Sequence, residues 1–102
     1  MYDLAMVIGV LIHIAPKYLP LAYENIYRAT RRYILIGEYY SRQPEEVSYR
    51  GYKNKLFKRD FAGEMLDKYT DLRLVDYGFF YHKDESSNLD DITWFLMEKA
   101  DI

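Results

Sequence analysis

The chain has 102 residues, half of them apolar and 29% charged, with a formal net charge of −2. That balance excludes disorder and a generic polyanion binder, and the length allows one domain with one modest core. The absence of cysteine excludes disulfides, thiolate metal sites and cysteine nucleophiles.

The longest apolar run, residues 4–14, is interrupted only by Gly9 and His13. A bilayer span takes about 20 residues, so this run is too short to cross. It follows an acidic Met1-Tyr2-Asp3 rather than the basic start of a secretory signal. The expected setting is therefore cytoplasmic, without membrane association. Residues 4–12, rich in Val and Ile, read as a strand covered on both faces, as in a parallel sheet.

Pro20 fits the first turn of a helix. Leu19, Ala22, Tyr23, Ile26 and Tyr27 then recur at three- and four-residue steps, an apolar helical stripe running to about Thr30. Arg31-Arg32 suit the negative C-terminal end of that helix. Residues 33–37 read as a second buried strand. Strand, helix and strand in this span predict a βαβ unit with parallel strands. His13 and Glu38 fall at the carboxyl ends of the two strands, the edge where open α/β sheets bind ligands.

Residues 41–58 show no clear periodicity and read as a long excursion, the kind of segment that is usually functional. Residues 41–59 carry a net charge of +4 and residues 60–102 a net charge of −7. The basic charge therefore gathers beside the presumed ligand edge. Residues 59–69 are helical in pattern, with Asp60 as N-cap or first-turn acid. Residues 72–81 and 92–98 read as two antiparallel strands around a polar loop.

These segments resemble a known family. Tyr2-Asp3-Leu4, then Val10-Leu11-Ile12-His13-Ile14, then Pro16 before a helix, is similar to the fourth strand and following helix of class I S-adenosylmethionine-dependent methyltransferases. RYILIGEYY (32–40), YRGYKNKLFKRDFAGEMLDKY (49–69), LVDYGFFYHKD (74–84) and DDITWFLMEK (90–99) resemble, in that order, the methylase group associated with pseudaminic acid biosynthesis. The resemblance covers nearly the whole chain. It implies an α/β fold comprising the C-terminal half of a Rossmann-like methyltransferase sheet. The family's seven strands run in the order 3-2-1-4-5-7-6, with the last strand antiparallel. Residues 1–102 would supply strands four to seven as a single partial domain, two parallel strands followed by an antiparallel hairpin.

The five glycines form no G-x-G-x-x-G pattern, so the family's cofactor-binding half has no counterpart here. S-adenosylmethionine is the cofactor of the complete family enzyme. The isolated chain is expected neither to bind it tightly nor to turn over.

Methyl transfer to a hydroxyl or amine requires in-line positioning and removal of a proton. His13 and Glu38 are the candidate catalytic residues. The competing structural readings are a histidine packed at a strand end, and a glutamate that caps a turn or pairs with arginine. Tyr39, Tyr40, Tyr49, Arg50 and Arg59 are the candidate substrate contacts. Arg50 has the fork geometry that clamps a carboxylate or phosphate. The basic excursion of residues 41–58 is then a substrate-side loop, and the resemblance implies an anionic sugar or nucleotide sugar as acceptor. Arg59-Asp60 also reads as an ion pair at a helix start. His82, with Asp84 and Asp90, makes only a weak metal pattern, so no metal is expected. Net acidity argues against nucleic acid.

The first strand is expected to expose a free edge, covered by a second copy of the chain or by an N-terminal half-domain. The rival reading is a non-catalytic α/β module that holds an anionic sugar or a protein partner through the basic loop.

Overall fold

The computed structural model describes residues 2–49, 54–83 and 92–100. Four strands form a mixed sheet: β1 (Tyr2–Ile8), β2 (Thr30–Glu38), β5 (Leu72–Phe80) and β6 (Ile92–Lys99), in the order β1-β2-β6-β5. A hairpin of β3 (Glu45–Tyr49) and β4 (Asn54–Lys58) forms a second, two-stranded sheet. Helix α1 (Leu19–Ala29) joins β1 to β2, and α2 (Phe61–Lys68) precedes β5. Strands β1 and β2 are parallel, and β6 runs antiparallel to both β2 and β5. The expected pairing directions are therefore present in a mixed α/β fold.

Three boundaries differ from the sequence reading. The first strand stops at Ile8, not at residue 12. Gly9 adopts φ +68°, a left-handed conformation that favours glycine, and Leu11–His13 form a 3-10 turn. The apolar run continued past the strand because Leu11 and Ile12 are core residues of that turn. The second strand begins at Thr30, directly after α1. There Arg31 pairs with Asp3 at 2.5 Å and Arg32 with Glu98 at 3.0 Å, so both arginines serve the sheet. Lys99 instead holds the end of α1: its Nζ donates to the carbonyls of Tyr27 and Thr30, each at 2.6 Å. Finally, residues 41–58 are not irregular. The β3–β4 hairpin turns Val47 and Leu56 toward the core, with Glu45 opposite Lys58.

Both helices pack on one sheet face. Ile34, Ile36 and Met97 alternate inward from β2 and β6 and meet Leu19 and Tyr23 of α1 and Phe61, Ala62 and Met65 of α2. Tyr23 OH on α1 donates to Glu64 Oε1 on α2 at 2.7 Å. Tyr27 stacks on Tyr69 with ring centroids 4.0 Å apart, and its hydroxyl bonds Asp71. The other face carries Leu4, Met6, Leu35 and Leu96, with no helix over it among the described residues. Among the described residues, no helix is long and apolar enough to cross a membrane.

Candidate functional site

The site lies where β2 ends and β6 begins. Antiparallel register places Glu38 opposite Thr93 and Ile36 opposite Phe95, with all four residues on the helix-covered face. Helix α2 arrives over them through Phe61 and Ala62. Together these residues line a narrow recess of about 10 Å³ with Tyr39, Tyr40 and Arg59. Four of the seven candidate residues, Glu38, Tyr39, Tyr40 and Arg59, are thus brought to one place.

Glu38 is only 2% exposed. Its Oε1 accepts from the Ile12 N–H at 3.1 Å and its Oε2 from the Val10 N–H at 3.2 Å. Burial pushes its carboxyl above the ordinary glutamate range, and the backbone N–H groups of residues 9–12 pull against that shift. Geometrically, the side chain is a cap that fixes the turn after β1. The turn has no acid of its own among residues 9–15, so a carboxylate from the neighbouring strand end satisfies its amides. His13 closes the same turn and is exposed, but it does not line the recess.

Arg59 does not pair with Asp60. Its Nε donates to Glu64 Oε2 at 2.6 Å, and Glu64 also takes the Tyr23 hydroxyl. Desolvation, and after it this hydrogen bond to Glu64, raises the Tyr23 hydroxyl pKa well above the usual tyrosine range. Asp60 is the N-cap of α2, accepting from the Gly63 N–H at 2.9 Å. The helix start therefore uses Asp60 for the backbone and leaves Arg59 facing both the recess and a neighbouring groove. That groove, about 310 Å³, runs along Pro16, Pro44, Glu45, Glu46, Phe57, Lys58 and Arg59. Lys58 Nζ stands 5.6 Å from the centroid of the Tyr39 ring.

A second opening, about 300 Å³, continues from the recess along Tyr40, Asp60, Tyr77, Thr93 and Phe95. Its wall is aromatic: Tyr40 and Tyr77 flank Phe95 at centroid distances of 6.1 and 6.2 Å. Sequence reasoning missed Thr93, Phe95 and Tyr77. The alternation of Thr93, Phe95 and Met97 was a signal for a shared face, but their meeting with Glu38 depends on β6 lying beside β2. Of the remaining candidates, Tyr49 ends β3 without a described side chain, and Arg50 lies outside the described residues, as do Asp84 and Asp90. Among the described residues, no three His, Asp or Glu side chains gather in a metal-binding arrangement.

No family model matches the chain, and no curated protein sequence matches it significantly.

Proposed function

We propose that the chain is the acceptor-side wall of a class I methyltransferase-like fold that takes an anionic sugar, free or nucleotide-linked. The observation that supports this most is the strand order. β1-β2-β6-β5, with β6 antiparallel between two strands that run the same way, has the directions and neighbours of strands 4-5-7-6 in the order that the sequence resemblance implies. The recess at the carboxyl end of β2 lies where such sheets bind ligands.

In this reading the aromatic wall of Tyr40, Phe95 and Tyr77 takes the apolar face of the sugar. Arg59 spends its Nε on Glu64 and keeps its terminal N–H groups for the carboxylate or phosphate, with Lys58 beside it. Glu38 positions the turn that ends in His13, and neither residue is given a proton-transfer role in this reading, because Glu38 is held by backbone amides and His13 lies outside the recess. S-adenosylmethionine would supply the methyl group when bound. The recess does not fit that cofactor: its one carboxylate is spent on backbone amides, and the chain has no glycine-rich cofactor turn. No step is therefore routed through it.

The same engagement of Glu38 and Arg59 favours a second reading, a non-catalytic module that binds the anionic sugar without transforming it. Calorimetric titration tests the shared core of both readings. CMP-linked pseudaminic acid should bind, and Arg59→Ala should weaken it by about tenfold or more. S-adenosylmethionine alone should give no tight binding. Tight binding of the cofactor by this chain, or sugar binding indifferent to Arg59, would overturn the proposal.

A further inference from the structure

We infer that the acceptor is the nucleotide-linked form of the acidic sugar, joined to its nucleoside through one phosphate, and that the nucleoside lies in the groove along the β3–β4 hairpin. This deepens the sugar-binding reading and rests on it. Two hollows of nearly equal size flank the start of α2: the groove of about 310 Å³ and the aromatic opening of about 300 Å³. Each alone stands at the lower end of the roughly 300–1,000 Å³ that small-molecule sites occupy. One sugar ring fills one hollow, and a ligand that uses both carries a second ring system.

The two hollows are neighbours. Arg59 lines the groove and Asp60 lines the aromatic opening. The narrow recess shares Arg59 with the first and Tyr40, Thr93 and Phe95 with the second. The divide between them is therefore one residue wide. Its direction is fixed locally. Asp60 caps α2 through the Gly63 N–H, and Glu64 holds Arg59 Nε at 2.6 Å. With Nε spent, the terminal N–H donors of the guanidinium are the ones that can meet an anion at the divide.

The walls differ in chemistry. Among the described residues the aromatic opening has no cation, and its Tyr40, Tyr77 and Phe95 rings with the Thr93 hydroxyl suit the apolar face and hydroxyls of a sugar. The groove offers apolar surface from Pro16, Pro44 and Phe57. Leu56 is buried in the core, so strand alternation turns its neighbour Phe57 toward the groove, where a base can stack on the ring. Glu45 and Glu46 add carboxylates that accept from ribose hydroxyls or a base amino group. Lys58 and Arg59 stand between these two surfaces, at the end of β4 and directly after it. The phosphate and the carboxylate of a monophosphate-linked acidic sugar match these two cations in number. A second phosphate would bring a third anion toward Glu45, which lies opposite Lys58 in the hairpin.

Calorimetric titration of the full chain with three ligands tests this: CMP-linked pseudaminic acid, free pseudaminic acid and cytidine monophosphate. The linked sugar should bind at least about tenfold more tightly than the free sugar, and cytidine monophosphate should compete with it. Tyr77→Ala should weaken both sugar forms about tenfold and leave cytidine monophosphate unchanged. Phe57→Ala should weaken cytidine monophosphate and the linked sugar and leave the free sugar unchanged, which also shows that the variant is folded. The comparison of the three ligands on the parent chain needs no variant. Equal affinity for free and linked sugar, or cytidine monophosphate that does not compete, would overturn this inference and leave the sugar site standing. Failure of both sugar forms to bind would overturn the sugar reading, and this inference with it.

Discussion

Glu38 at the end of β2 holds the N–H of Ile12 at 3.1 Å, tying the carboxyl edge of one strand to the turn that leaves its neighbour. The Val10 amide completes the clasp. Removing the carboxylate strands the buried Ile12 N–H, a loss that costs about 1–3 kcal/mol, and the part-buried Val10 N–H, which costs less. Glu38→Ala should therefore lower stability by about 2–4 kcal/mol in urea unfolding, and Glu38→Gln should recover part of that by keeping one acceptor oxygen. A Glu38→Ala chain as stable as the parent would contradict the cap.

Trp94 lies over Gly78. A Cβ at position 78 would fall 2.5 Å from the indole Cζ2 atom, so the side chain has to move. Gly78→Ala is expected to cost about 1–3 kcal/mol. Trp94 is the only tryptophan in the chain, so its fluorescence reports this site alone. The emission should shift to the red in the variant, and an unchanged spectrum with unchanged stability would refute the close contact.

The start of α2 offers a double-mutant test. Asp60→Ala removes the cap and should cost about 1 kcal/mol. Gly63→Ala reaches the same cap by another route, because its Cβ would stand 2.1 Å from Asp60 Oδ2 and displace the carboxylate. The two losses should be strongly non-additive, with the double variant little worse than the single ones. Additive losses in thermal unfolding would show that the two residues act separately.

Hydrogen bonds from Arg73 (2.7 Å) and Arg32 (3.0 Å) hold the Glu98 carboxyl below the ordinary glutamate range. A depressed folded value means that this stabilisation is fully present above the unfolded pKa, about 4.3. It is lost as pH falls through the lower, folded value. The melting temperature should drop on acidification below about pH 4, less steeply in Glu98→Gln and less steeply in high salt, since both arginines are exposed. An identical acid profile in parent and variant would count against the pairing.

The fold was legible wherever local pattern decides it. The stripe of Leu19, Tyr23 and Ile26 marked α1, and Pro20 marked its first turn. Alternation and β-branching marked the strands. The order of the strands was not written in any local pattern, and it entered only through resemblance. The β3–β4 hairpin was hidden because only Val47 and Leu56 carry its inward face, among charged neighbours. The end of β1 was hidden because a strand and a buried 3-10 turn are equally apolar, and only Gly9 separates them. In the site, Glu38 was found by its place at a strand end. Its partners were not, since backbone amides leave no trace in residue type. Phe95 and Thr93 reach the recess only through the pairing of β6 with β2, a contact between residues more than fifty positions apart.

The most direct test of the account is a 15N-resolved NMR titration of the chain with CMP-linked pseudaminic acid. The account predicts saturable shifts at Tyr39, Tyr40, Arg59, Thr93 and Phe95, weakened in Arg59→Ala and unaffected at the distant Glu98 end of the sheet. Shifts absent from this set, or clustered elsewhere on the chain, would contradict it.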